Sequence, residues 1–149
     1  MKANKFYFLV SLLLFLTNCS PKYPFCINEK TESLKIEWGT IYLNSKEEER
    51  FILFSNGDLF KEVSLKGKKK MSHLDEQKFC NVLTNVQNTI LKTQVINEVG
   101  DTLNFVEYIN PALGIFISAR WNPRFKTKNS IHFRQLYDSL KVLTLEIKN

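Results

Sequence analysis

The sequence feature that most constrains the fold is an Asn-Gly pair between two apolar segments. The stretch "RFILFSNGDLFKEVSL", residues 50–65, places Asn56 and Gly57 near its centre. Asn-Gly suits a two-residue hairpin turn, because both central residues of that turn need positive φ angles. The sequence therefore predicts that Phe51–Ser55 and Asp58–Leu65 are paired antiparallel strands.

Three further segments are rich in strand-forming residues. Residues 35–43 predict a strand with a kink at Gly39. Residues 102–109 and 114–121 predict a second pair of strands, joined by the loop 110–114, which contains proline and glycine.

Two charged stretches are predicted to connect these elements. Residues 46–50 are interpreted as a charged turn before the first hairpin. The lysine-rich residues 66–70 are interpreted as a basic connection after it.

Two segments show helical periodicity. A helix is predicted to begin at Ser72, where Ser72 and Asp75 have the spacing of a capping pair, and to end near Lys92. Its apolar stripe is Phe79, Leu83, Val86 and Ile90. A second helix, capped by Asn129 or Ser130, has an apolar face formed by Phe133, Leu136, Tyr137, Leu140 and Leu143.

The order strand, hairpin, helix, hairpin, helix predicts an α+β fold. We expect an antiparallel sheet of about five strands, with the two helices packed on one of its faces.

The amino end has the composition of a secretory signal peptide. Lys2 and Lys5 precede an apolar run of eleven residues, Phe6–Leu16, broken only by Ser11. A helix of that length measures ~16 Å, whereas a membrane span needs ~20 apolar residues. A basic start followed by a short apolar core is typical of a secretory signal.

The residues after this run, Leu16-Thr17-Asn18-Cys19, resemble the lipobox of bacterial lipoproteins. The resemblance implies that Cys19 becomes the first mature residue and carries lipid, although Asn18 replaces the small residue usual before the cysteine. Two or more acyl chains anchor a protein stably where one does not. The alternatives are cleavage near Ser20 and an uncleaved amino-terminal anchor.

This resemblance also predicts the organisation and location of the chain. Residues 1–18 would be the signal peptide, 19–32 a lipid-anchored tether and 33–149 a single α+β domain. Ser20 follows the cysteine where an aspartate would retain the protein in the inner membrane, which implies the outer membrane, facing the periplasm. The mature part, most closely in "WNPRFKTKNSIHFRQLYDSL", is similar to small α+β envelope lipoproteins to which no reaction is attached.

Two cysteines remain if Cys19 is lipidated. An oxidising compartment favours a disulfide between Cys26 and Cys80. In the loop-entropy model a bridge across ~55 residues contributes ~4 kcal/mol. The alternative is a buried thiol at Cys80 and a free thiol at Cys26.

No catalytic pattern is recognisable. The two histidines, His73 and His132, each lie near a predicted helix start and are interpreted as capping-region residues. No G-x-S-x-G, H-E-x-x-H or C-x-x-C motif occurs. We therefore expect no metal, no cofactor and no catalytic residue. The enzyme alternative, an uncharacterised hydrolase, would need a pocket around one of these histidines.

Two basic stretches are candidate partner-binding sites. One interleaves cations with aromatic residues, and consists of Arg120, Trp121, Arg124, Phe125, Lys126 and Lys128. The other consists of Lys61, Lys66, Lys68, Lys69 and Lys70. Arg and Trp dominate protein interfaces, and lysines suit an acidic protein or anionic lipid. The alternative is that Trp121 and Phe125 are core residues and the lysines a solvated rim.

These observations predict a lipid-anchored, non-enzymatic envelope protein that binds another macromolecule. Lysines heavily outnumber arginines, which argues against a nucleic-acid partner. One alternative is a periplasmic immunity or inhibitor protein that blocks a toxin or a protease. Another is a structural lipoprotein that contacts lipid or cell wall. The oligomeric state does not follow from the sequence.

Overall fold

The computed structural model describes residues 23–64, 66–91 and 96–145. Within these ranges the chain forms β1 (Lys35–Tyr42), β2 (Glu47–Phe54), β3 (Asp58–Val63), β4 (Gly67–His73), α1 (Glu76–Ile90), β5 (Thr102–Asn110), β6 (Ile115–Trp121) and α2 (Ile131–Leu145). Two short 3₁₀ helices, Pro111–Leu113 and Lys128–Ser130, precede β6 and α2.

The strands form one antiparallel sheet in the order β4-β3-β2-β1-β5-β6. The chain builds β1 to β4 as a meander, and α1 then carries it back across the sheet to β5, beside β1. The predicted α+β class with an antiparallel sheet is confirmed, but the described sheet has six strands rather than about five. The missed strand is β4, whose lysines were predicted to be a connection.

The position of β4 explains why the sequence pattern concealed it. It is an edge strand, and Gly67 and the three lysines after it are exposed. Because these four residues bury neither face of the strand, they show no alternation of apolar and polar residues, which is the pattern that identifies a strand.

The first hairpin is confirmed, but its turn differs from the prediction. Gly57 has a φ of 85°, whereas Asn56 has a negative φ. The Gly57 amide donates to the Phe54 carbonyl at 2.9 Å, and the Asn56 side-chain oxygen accepts from the Asp58 amide at 3.0 Å. These bonds match a three-residue loop that ends in a left-handed glycine. A Cβ on Gly57 would also lie 2.8 Å from the Leu74 carbonyl oxygen, so the position requires glycine.

Two predicted boundaries were wrong. Residues 47–50 belong to β2, not to a charged turn, because charged side chains pair with one another across the sheet there. Helix α1 begins at Glu76, and its N-cap is Asp75, whose side chain accepts from the Lys78 amide at 2.8 Å. Ser72 lies in β4 instead. The predicted helix end near Lys92 lies outside the described residues.

The hydrophobic core lies between the two helices and one face of the sheet. Alternate positions of β1, β2, β5 and β6 point into it, among them Ile36, Trp38, Leu53, Val106, Tyr108, Ala119 and Trp121. The predicted apolar stripes of both helices are buried against them. Burial of apolar surface contributes ~25 cal/mol of stabilising free energy per Å². Burial of these large apolar side chains therefore holds the helices to this face of the sheet.

The segment before β1 is folded against the helix layer. The Ile27 amide donates to the Pro24 carbonyl at 2.9 Å, and the Thr31 amide donates to the Asn28 carbonyl at 2.8 Å, which closes two turns. Cys26 is joined to Cys80 of α1 by a disulfide, with 5.8 Å between the Cα atoms. The predicted pairing of these two cysteines is thereby confirmed.

Candidate partner-binding surface

The sheet face opposite the helices, called here the open face, has no described helix or strand packed on it. Strand register brings its side chains into rows across the sheet. They surround a shallow depression of about 660 Å³, lined by Lys35, Glu37, Glu48, Arg50, Ile52, Phe54, Glu62, Lys68, Glu107, Ile109, Phe116 and Arg120. Charged and apolar side chains therefore share one surface.

Two carboxylates lie side by side at the centre of the open face. Glu37 of β1 and Glu107 of β5 are direct register partners, and their exposed fractions are 2% and 3%. Like charges placed opposite each other destabilise a strand pair, and burial without partners would cost far more. The arrangement therefore requires cations within reach of both groups.

Arg50 of β2 supplies the central cation. Its Nη1 donates to Glu37 Oε2 and, at 3.3 Å, to Glu107 Oε2. Its Nε donates to Glu48 Oε1 at 2.6 Å. Burial by itself would lower the pKa of Arg50, but the charge of Glu37 and the hydrogen bonds to Glu48 and Glu37 raise it above the ordinary value. Arg50 therefore stays charged and holds the two central carboxylates together.

Gly39 allows this arginine to reach its position. Gly39 lies between Arg50 and Phe105 in the register of β2, β1 and β5. With no side chain between them, the guanidinium of Arg50 lies over the Phe105 ring, 5.0 Å from the ring centroid to Cζ. Any side chain at Gly39 would overlap the carbonyl oxygen of Glu49. The predicted kink at Gly39 is thus a point of close approach between β1 and β2.

Three further groups complete the hydrogen bonding of the two carboxylates. Lys35 Nζ lies 2.6 Å from Glu37 Oε1, and Arg120 Nη2 lies 3.2 Å from Glu107 Oε1. The Ser118 hydroxyl donates to the same oxygen of Glu107 at 3.0 Å. These residues, with Arg50 and Glu48, form what we call the ion network. Charge-assisted bonds of this kind fix side-chain positions more strongly than neutral ones.

Apolar side chains flank the ion network on the open face. Phe116 of β6 is 62% exposed, and Ile109 lies opposite it on β5. Phe54 and Phe60 meet edge to face, with 5.5 Å between their centroids. Lys68 Nζ lies 4.3 Å from the Phe54 centroid and 4.7 Å from that of Phe60. The open face therefore presents aromatic rings around a fixed set of charges.

The structure divides the first predicted basic stretch between different environments. Arg120 belongs to the ion network. Trp121 is fully buried, with its ring centroid 6.3 Å from that of Phe133 and 5.6 Å from that of Tyr137. The core interpretation therefore applies to Trp121, which is inaccessible to a partner. Consecutive strand residues point to opposite faces, which is why Arg120 and Trp121 separate.

The rest of that stretch is an exposed loop between β6 and α2. Phe125 is 64% exposed, and Arg124, Lys126 and Lys128 are exposed as well. Arg134 of α2 holds this loop, because its guanidinium donates to the carbonyls of Asn122 at 2.6 Å, Pro123 at 3.1 Å and Phe125.

The second predicted stretch lies at the β4 edge. Lys66, Lys69 and Lys70 line a depression of about 500 Å³ with Lys61, Val63, Gly67 and Met71. Lys70 is paired with Asp58 at 2.7 Å, and Lys68 belongs to the open face instead. Lysines and a register irregularity at Leu59/Phe60 are devices that prevent an edge strand from pairing with another chain. The edge position alone thus accounts for these lysines.

The two histidines lie apart from each other in the chain and in their surroundings. His73 Nδ1 is 2.9 Å from Asp58 Oδ1 at the end of β4, and His132 is exposed on α2. Burial would raise the pKa of Asp58, but hydrogen bonds from Lys70 and His73 hold it below its usual value. Across the described ranges, no cluster of three or more His, Cys, Asp or Glu side chains could hold a metal ion.

The ion network was missed by the sequence interpretation. Its one visible sign is a glutamate within each of two apolar strand segments, in "KIEWG" and "NFVEYI". A glutamate in an apolar strand can be recognised as buried and paired only when the neighbouring strands that carry its cationic partners are known.

No protein-family model matches the chain, and no curated protein matches it significantly.

In the described part of the chain no helix has the length and apolar character to cross a bilayer. Cys19, the predicted lipidation site, lies outside the described residues.

Proposed function

We propose that this protein is a lipid-anchored, non-enzymatic protein of the cell envelope that binds another protein through the open face of its sheet. The lipobox-like sequence ending at Cys19 supports the anchor, and the outer membrane with the domain facing the periplasm is the proposed location. The observation that carries the binding role is the exposed aromatic surface around the ion network.

This surface has the composition of a protein interface. Interface centres are enriched in aromatic residues and arginine, and a few such residues contribute most of the binding energy. Phe116 supplies an exposed ring, while Arg50 and Arg120 are already held by carboxylates. Little side-chain entropy is then lost when a partner binds, which favours affinity.

The pairing of charges favours a protein over other partners. Lys35, Arg50 and Arg120 are each bonded to a carboxylate, and Lys68 lies over two rings. A nucleic acid would need cations free to neutralise phosphates. For the same reason we assign no catalytic role to Glu37 and Glu107, since each already accepts bonds from cations.

Site-specific photo-crosslinking in cells tests the binding role. A photoreactive residue at Phe116 should give one discrete crosslinked protein. The same residue at Val142, exposed on α2, is the matched control and should give none. Combining Arg120→Glu with the photoreactive residue at position 116 should abolish the crosslink. Equal crosslinking from both positions, or none above background at Phe116, would refute the open face as the binding surface.

The anchor is tested separately. Cells grown with a clickable fatty acid should label the wild-type protein and not Cys19→Ala, and labelling that survives the substitution would remove the anchor. The identity of the crosslinked protein then separates the narrower roles, because an inhibitor would capture a toxin or protease.

A further inference from the structure

The disulfide shortens the chain between the proposed anchor and the folded domain. Six residues, Ser20–Phe25, separate Cys19 from Cys26. An extended chain spans at most ~3.6 Å per residue, so Cys26 lies within ~25 Å of Cys19. Without the disulfide, the first strand residue, Lys35, could lie up to ~58 Å from Cys19 at the same length per residue. The bond to Cys80 therefore places the helix side of the domain close to any lipid on Cys19.

An exposed aromatic residue lies at this point of attachment. Phe25 is 70% exposed, whereas its neighbour Pro24 is buried and Cys26 packs against the core. The Pro24–Ile27 turn and the disulfide thus fix the backbone on both sides of an exposed ring. Aromatic side chains on a membrane-associated surface favour the boundary between headgroups and acyl chains.

Charge does not favour or oppose this contact. The charged residues around this corner carry both signs: Lys22, Glu29 and Lys30 are near it in the chain, and Glu76 and Lys78 lie in the first turn of α1. The contact would therefore depend on the Phe25 ring rather than on attraction to anionic lipid.

We infer that the corner formed by Tyr23–Ile27 and the first turns of α1 rests on the bilayer, with the Phe25 ring in the interface. The open face lies on the other side of the sheet from α1 and is directed away from the membrane, where a partner can reach it. This inference rests on the lipid anchor of the proposed function.

Tryptophan fluorescence of the lipidated protein, reconstituted in phosphatidylcholine vesicles, tests the orientation. Both native tryptophans, Trp38 and Trp121, are buried, so a tryptophan introduced at an exposed position reports on that position. Phe25→Trp should lose most of its added emission to phosphatidylcholine carrying a shallow nitroxide. Phe116→Trp, the matched control on the open face, should lose little.

The disulfide supplies a second comparison. Cys26→Ser combined with Cys80→Ser should leave Phe25→Trp quenched, because position 25 stays six residues from Cys19. The same double substitution should reduce quenching of a tryptophan at the exposed Gln77, in the first turn of α1, because the chain between the lipid and the helix layer is then longer. If this variant does not fold, the contrast between positions 25 and 116 decides the inference alone.

Two failures are distinguishable. Absence of fatty-acid labelling at Cys19 removes the anchor and the inference with it. Labelled protein in which position 25 is quenched no more than position 116 overturns the orientation and leaves the anchor intact.

Discussion

On the helix side of the sheet, β1, β2 and β6 present Trp38, Leu53 and Trp121 to two helices, whereas on the open face β1, β2 and β5 present Glu37, Arg50 and Glu107 to one another. The first set is held by burial of apolar area, which is strong and non-directional. The second is held by hydrogen bonds between charges, which fix geometry but contribute little net stability once desolvation is counted. The helix side thus stabilises the fold, and the open face holds charged side chains in a fixed arrangement on the proposed binding surface.

The largest expected effect tests the helix side. Trp121→Ala should destabilise the protein by about 3–5 kcal/mol, because it leaves a cavity between Phe133 and Tyr137. Phe116→Ala, which truncates an exposed ring on the same strand, should change stability by no more than about 0.5 kcal/mol. Urea unfolding measures both, and similar losses would contradict the division between the faces.

The next effect tests the ion network. Arg50→Met should cost about 3 kcal/mol, because it leaves Glu37 and Glu107 adjacent without their shared cation. Replacing all three residues by Met should recover most of that loss, since no buried charge is then stranded. Unfolding curves of the single and triple variants give the comparison. A triple variant less stable than Arg50→Met would show that the network itself stabilises the fold.

A smaller effect is expected for Arg134, the α2 residue that holds the loop between β6 and α2. Arg134→Met should cost about 2 kcal/mol, because three backbone carbonyls lose a charged donor. Arg134→Lys should recover only part of this, since an ammonium cannot reproduce the planar fork of a guanidinium. Faster proteolysis after Arg124 or Lys126 should accompany the loss, and an unchanged cleavage rate would mean that the loop is held by other contacts.

The smallest effect concerns pH and the β3–β4 hairpin. The pKa of Asp58 is lowered in the folded state, so its charged form stabilises the fold at pH values above the carboxyl's ordinary pKa. That contribution is lost as the pH falls through the lowered value. Asp58→Asn should therefore be less stable than wild type at pH 7, and the difference should shrink below about pH 4. Thermal unfolding across this range measures it, and a constant difference would exclude Asp58 titration as the cause.

The parts of the fold that could be predicted depend on local pattern. The first hairpin, the apolar stripes of both helices and the α+β class all follow from residues close together in the chain. The turn type at Asn56-Gly57 does not follow from neighbouring residues, because Gly57 contacts Leu74, which is distant in the chain. Strand β4 was missed because an edge position removed its alternation.

Less of the candidate site than of the fold could be predicted from the sequence. Arg120 and Trp121 are adjacent in the chain, and the structure places one on the open face and the other in the core. Arg50 of β2 bonds to Glu37 of β1 and Glu107 of β5, and only the register of these three strands brings the three residues together. The sequence therefore identified one network residue, Arg120, but not its surroundings.

The sequence by itself determined the short apolar amino end with its lipobox-like cysteine, the hairpin at Asn56-Gly57 and the helical stripes, because each is encoded in neighbouring residues. The oxidising compartment predicted from the amino end also favoured a disulfide between Cys26 and Cys80. Only the tertiary structure decided that Glu37 and Glu107 lie side by side under Arg50, and that the disulfide joins the amino-terminal segment to the helix layer. Both depend on strand order and packing across long sequence separations, for which no local pattern carries the information.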